Sequence, residues 1–106
     1  MDRTAAVFYN DTLAGRLTQG DNGYSFEYDY IYLQDISLPA ISLSLPKQKE
    51  AFRSGMLFPF FYGLLAEGEN KIIQCRMLKI DENDHFTRLI KTAHTNTIGA
   101  VTVREL

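Results

Sequence analysis

The stretch Thr4-Ala5-Ala6-Val7-Phe8-Tyr9-Asn10-Asp11-Thr12-Leu13-Ala14-Gly15-Arg16-Leu17 decides the fold of this chain. Its opening residues are rich in β-branched and aromatic side chains, Asn10-Asp11-Thr12 supplies turn chemistry, and residues 13–17 alternate again. This is the pattern of a β-hairpin. Working outward, Gly20-Asp21-Asn22-Gly23 makes a second turn. After it Tyr24, Phe26 and Tyr28 alternate with Ser25, Glu27 and Asp29, the period-2 pattern of a strand buried on one face. The first third of the chain reads as a three-stranded antiparallel meander.

The rest of the chain changes character. Residues 30–34 fit a single helical turn, and Pro39 and Pro46 bracket a short extended segment in which Ile41, Leu43 and Leu45 share a face. Residues 47–55 are polar and read as an irregular surface loop joining a sheet half to a helical half. A helix is expected over residues 56–65, with Pro59 tolerated in a first turn that needs no internal N–H donor, and Gly68 interrupts it. A second helix starts at Glu69 or Asn70 and runs to Leu78, with Ile72, Ile73, Met77 and Ile80 as its apolar face. Asp81-Glu82-Asn83-Asp84 offers N-caps and first-turn acids for a third helix, in which Phe86, Leu89, Ile90 and Ala93 follow i, i+3, i+4, i+7. A last strand over residues 100–105 returns to the sheet. The expected class is α+β, a small antiparallel sheet with about three helices packed on one face, as a single domain over residues 1–106.

Composition excludes several functions. A chain of 106 residues, 45% hydrophobic, is one small domain with one core. Its formal charge of −2 and scattered Lys and Arg do not suit direct nucleic-acid binding, which needs clustered cations facing phosphates. The densest basic stretch, Lys47-Gln48-Lys49, is followed at once by Glu50 and reads as a solvated loop. Cys75 has no second cysteine to pair with, the N-terminus carries no apolar signal segment, and no apolar run reaches the roughly 18 residues of a membrane span. A cytoplasmic protein is expected.

Catalytic chemistry is not assembled. Gly20-Asp21-Asn22-Gly23 lacks the Lys and Ser or Thr of a phosphate-binding loop, and no Asp stands in the context of a kinase catalytic loop or magnesium site. His85, His94, Cys75 and Asp84 have no metal-ligand spacing, and Cys75 beside Ile72 and Ile73 reads as a small buried hydrophobe. No enzyme activity, cofactor or metal is expected. Two features remain as binding candidates. Ala66, Glu67, Gly68, Glu69 and Asn70 form either a solvated acidic loop or a recognition element whose carboxylates meet basic groups on a partner. The aromatic run Phe58, Phe60, Phe61 and Tyr62 cannot all sit on one narrow helical stripe. It divides between core packing and partner-facing anchors, with Phe58, Phe61 and Tyr62 the candidate anchors.

Several segments, in order and spacing, resemble the N-terminal subdomain of HipA-type toxin kinases. They are Val7-Phe8-Tyr9-Asn10, Leu13-Ala14-Gly15-Arg16-Leu17, Phe26-Glu27-Tyr28, Leu43-Ser44-Leu45-Pro46, Leu57-Phe58-Pro59-Phe60-Phe61 with Leu64-Leu65, and Ile98-Gly99-Ala100-Val101-Thr102-Val103. Only Arg104-Glu105-Leu106 follows, where such kinases continue into a catalytic core, so the chain is similar to a free-standing HipS-like antitoxin. The resemblance implies a non-catalytic protein that binds and inhibits a HipT-like Ser/Thr kinase, in a system whose third member is a HipB-like DNA-binding repressor. The alternative it allows is an assembly subunit that stabilises the kinase or links it to the repressor without inhibiting it. One departure stands out: the family pattern Pro-Glu-Gly-Trp is Ala66-Glu67-Gly68-Glu69 here, an acid in place of an aromatic.

Overall fold

Residues 2–94 and 100–106 are described by the computed structural model. Strands β1 (Arg3–Tyr9) and β2 (Thr12–Gly20) form the expected hairpin. Asn10 and Asp11 both take positive φ, 47° and 69°, which gives the two-residue turn a twist matching that of the strands it joins. Val7 pairs with Gly15 but Phe8 with Leu13, so Ala14 is the extra residue of a β-bulge. Strand β3 (Gly23–Tyr28) pairs with β2 and completes the meander. Gly23 begins it at φ 136°, a conformation that L side chains rarely adopt, with the Ser54 carbonyl where a Cβ would stand.

Two further strands extend the sheet at its edges. Phe52–Ser54 is β4, antiparallel to β3 with Phe52 opposite Phe26, and Val101–Glu105 is β5, antiparallel to the far side of β1. Among the described residues the order is β4-β3-β2-β1-β5, so the last strand lies beside the first. β4 falls inside residues 47–55, where the sequence suggested only an irregular loop. A three-residue strand is too short to show a period, and stacking of Phe52 on Phe26 at 6.5 Å between ring centroids is a tertiary effect. The final strand forms within the expected residues, while Ile98 and Gly99 of the ending lie outside the described residues.

One face of the sheet carries the core. Ala5, Val7, Leu17, Phe26, Tyr28, Val101 and Val103 pack against Phe86, Leu89, Ile90 and Ala93 of the last helical segment. Each fully buried Val, Leu or Phe among them contributes on the order of 1.5–3 kcal/mol. Tyr28 is buried with its hydroxyl satisfied: it accepts from the Ile41 N–H at 3.0 Å and donates to the Leu45 carbonyl. This pins the 41–45 segment, where the structure corrects the expected shared face. Leu45 N–H returns to the Ser42 carbonyl at 3.1 Å, and the resulting turn buries Ile41 and Leu45 but throws Leu43 into solvent.

Among the described residues four helices accompany the sheet: α1 (Tyr30–Gln34), α2 (Pro59–Tyr62), α3 (Gly68–Leu78) and α4 (His85–Thr92). α1 is the expected single turn. α2 is shorter than the helix expected over residues 56–65, because the chain before Pro59 is extended and the turns after Tyr62 tighten to three-residue closures at Leu64 and Leu65. α4 matches its prediction, with Asp84 as N-cap accepting from the Thr87 N–H at 3.1 Å and the Phe86, Leu89, Ile90 stripe buried. α3 forms where expected but faces the other way. Cys75 is its buried residue, and Ile72, Ile73 and Met77 point outward.

Candidate functional site

Phe58 caps α2 and Pro59 opens it, so Phe58, Phe61 and Leu65 fall at i, i+3 and i+7 on one side of the chain. That side is the core side. Phe61 is 0% exposed and Phe58 8%, and the Phe61 ring meets Phe26 at 5.6 Å and Phe58 at 6.3 Å between centroids. The expectation that Phe58 and Phe61 face a partner is therefore corrected: the domain's own interior occupies both rings. Tyr62, one residue on, is 39% exposed and lies edge-on to the His85 ring at 5.1 Å. It is the aromatic of the run that remains at the surface of the candidate site.

The chain then turns through Leu65 and Ala66 into α3. Glu67 occupies the N-cap position with extended backbone and no side-chain cap, Gly68 takes φ 62°, and Glu69 stands in the first turn. A Cβ at Gly68 would meet nothing within 4 Å, so glycine is needed here for backbone conformation and not for space. Glu67, Gly68, Glu69 and Asn70 are all exposed. Where the sequence suggested a loop over residues 66–70, only Ala66 and Glu67 precede the helix and Gly68 to Asn70 form its exposed first turn, with Ala66 half-buried at the root; Tyr62 also reaches the surface.

What holds this root is a residue that sequence periodicity passes over. Arg88 is 1% exposed, yet on the α4 wheel it lies nearly opposite the Phe86, Leu89, Ile90, Ala93 stripe, where a solvent-facing residue is expected. Its Nη2 donates to the Ala66 carbonyl at 2.7 Å, and its Nη1 lies 3.3 Å from His85 Nδ1 and 3.5 Å from the Glu82 carbonyl. Ala66 precedes α3 and Glu82 follows it, so one guanidinium ties both ends of the α3 excursion to α4. Nε has no partner among the described residues. A buried charge met by two carbonyls and a ring nitrogen is costly, and its short charge-assisted bond to Ala66 marks the root of α3 as a fixed point.

His85 completes the cluster. Burial holds its imidazole below the ordinary 6.5, and Arg88 and Lys71 push the same way while Asp84 opposes them. The neutral ring can accept from Arg88 at Nδ1 while it makes a T-shaped contact with the Tyr62 ring. The start of α3 and the neighbouring Tyr62 thus place one aromatic ring and two carboxylates at the surface. Among the described residues no group of three or more His, Cys, Asp or Glu is arranged to hold a metal ion. No helix of the described residues is long and apolar enough to cross a membrane.

Comparison with known proteins bears on the same geometry. Residues 5–104 match the family model described as HipA N-terminal domain. A Haemophilus influenzae protein of uncharacterized function is 36% identical over 103 residues, covering 97% of this chain and 92% of its own length. Y4mE of Sinorhizobium fredii, which carries the name of a kinase, is 31% identical over 88 residues; the match covers 82% of this chain but 21% of that protein. Among solved structures, the N-terminal domain of HipA toxin superposes with a TM-score of 0.73 at 30% identity, covering 98% of this chain and 92% of the other.

Proposed function

This chain belongs to the HipA N-terminal domain family, and from that premise we propose that it is a non-catalytic antitoxin that binds and inhibits a HipT-like Ser/Thr kinase. The observation that carries the reading is the exposed start of α3, clamped at its root. Tyr62, Glu67, Gly68, Glu69 and Asn70 sit at the surface, on a root that Arg88 fixes from inside. A segment held in one conformation gives up little entropy on binding, so a small number of anchors can support tight association. The acidic pair complements the basic groups that a phosphate-handling protein gathers around its substrate, which suits a protein that obstructs such a site. A HipB-like DNA-binding protein joins the assembly through the kinase, and this chain's formal charge of −2 leaves the DNA to that component.

The test is phosphorylation by a purified HipT-like kinase titrated with this chain. Activity should fall and level off at a fixed molar ratio, and Glu67→Lys with Glu69→Lys should shift the titration to higher concentration by about tenfold or more. Undiminished kinase activity alongside a stable complex would replace inhibition with an assembly role. Equal potency of the double variant would remove this segment from the interface.

A further inference from the structure

The apolar arc of α3 points the wrong way for a helix that packs only on its own domain. Ile73 and Met77 stand at i and i+4 on one side of the helix with Cys75 across from them, and Ile72 lies between the two sides. The structure turns the small Cys75 inward and leaves Ile73 54% and Met77 78% exposed, with Ile72 at the surface beside them. An i, i+4 apolar pair left this exposed is a ready anchor for a partner surface.

Two further features say what kind of surface covers it. The arc is bounded by Glu67 and Glu69 at one end and by Arg76 and Lys79 at the other, and none of the four is ion-paired among the described residues. A rise of about 1.5 Å per residue puts the acidic and basic ends roughly 15 Å apart. The strip offers a few hundred Å² at most, whereas a stable complex buries about 800 Å² on each side. A second copy joined through the strip alone falls short. A larger body reaching across the strip, residues 67–70 and Tyr62 does not. In Y4mE the matching segment makes up only 21% of the chain, so this kind of domain occurs beside just such a larger body.

Resting on the reading of this chain as a kinase-binding protein, we infer that the outer arc of α3 is a second part of the docking surface. It seats in an apolar groove of the kinase, with basic kinase residues toward Glu67 and Glu69 and acidic ones toward Arg76 and Lys79. Both signs of charge then fix the direction in which the helix lies, and the apolar arc supplies the desolvated centre of the contact.

The experiment measures the affinity of the full chain for a purified HipT-like kinase by calorimetry, alongside Ile73→Glu with Met77→Glu and, separately, Arg76→Glu with Lys79→Glu. The apolar double variant should keep the wild-type melting temperature and bind about tenfold or more weakly. The charge variant should bind a few-fold more weakly and lose its salt dependence in part. Wild-type binding with both variants unaffected overturns the α3 contact and leaves the proposed function standing. Failure of the wild-type chain to bind removes both. If the apolar variant does not fold, the charge variant decides, and its undiminished affinity overturns the proposal. A wild-type chain that sediments as a dimer, with the apolar variant a monomer, would make the arc a self-association face and overturn the kinase groove.

Discussion

Phe61 and Tyr62 are chemically similar neighbours in the candidate loop's approach, and truncating each should have opposite consequences. Phe61 is fully buried, with the rings of Phe26, Phe58 and Phe60 within 6.3 Å of its own. Phe61→Ala removes those contacts and leaves a cavity that the sheet below cannot fill, at a cost of about 3–5 kcal/mol. A domain of this size is stable by roughly 5–15 kcal/mol, so the variant should lose a large share of its stability and melt on the order of 15 °C or more lower. Tyr62→Ala removes a half-exposed ring with one edge contact to His85. Its cost should be below about 1 kcal/mol, the ordinary range for a surface truncation. Urea denaturation of the two variants measures the difference, and kinase titration measures the rest: Tyr62→Ala should be the folded variant that inhibits poorly. A Phe61→Ala chain within about 1 kcal/mol of wild type would refute the packing argument. A Tyr62→Ala chain that inhibits normally would refute the assignment of that ring to the interface.

Other consequences follow from the Arg88 clamp. Cys75 is buried on the inner side of α3 and is the chain's single thiol, so its labelling rate reports opening of the α3 excursion. Arg88→Ala leaves the Ala66 carbonyl without its donor and should speed labelling about tenfold or more, in line with a loss of 1–3 kcal/mol; an unchanged rate would show that the guanidinium does not hold this segment. His85 predicts a pH dependence of fixed sign. Its folded-state pKa lies below the ordinary 6.5, so the unfolded chain binds the extra proton first. The stability that His85 contributes is complete above 6.5 and drains away as pH falls through the depressed folded-state value. His85→Gln keeps an acceptor for Arg88 and should flatten that part of the profile below the ordinary 6.5; an identical slope in both chains would assign the dependence to other groups.

Local chemistry made much of this protein legible. Asn10-Asp11, Gly20-Asp21-Asn22-Gly23 and the Tyr24-Phe26-Tyr28 alternation encode the meander within a few residues of each other, and Asp84 with the Phe86 stripe encodes α4 in the same way. The order of the motifs was enough to point to the family. Long-range effects were not legible. β4 exists because Phe26 offers Phe52 a partner, and Phe61 is core while Tyr62 is not because the sheet lies under one side of α2. Arg88 violates its helix's own periodicity because a loop some twenty residues earlier in the chain folds over it.

By itself, then, the amino-acid order determined the three-stranded meander and the last strand, where α1, α3 and α4 form, and which side of α4 is apolar. Turn conformers, capping and periodicity are properties of a few consecutive residues, and a linear sequence carries them directly. Only the tertiary structure decided which aromatics remain at the surface, which arginine anchors the loop and which way α3 faces. Each of those depends on what another part of the chain places opposite the residue, and burial is a property of the pair.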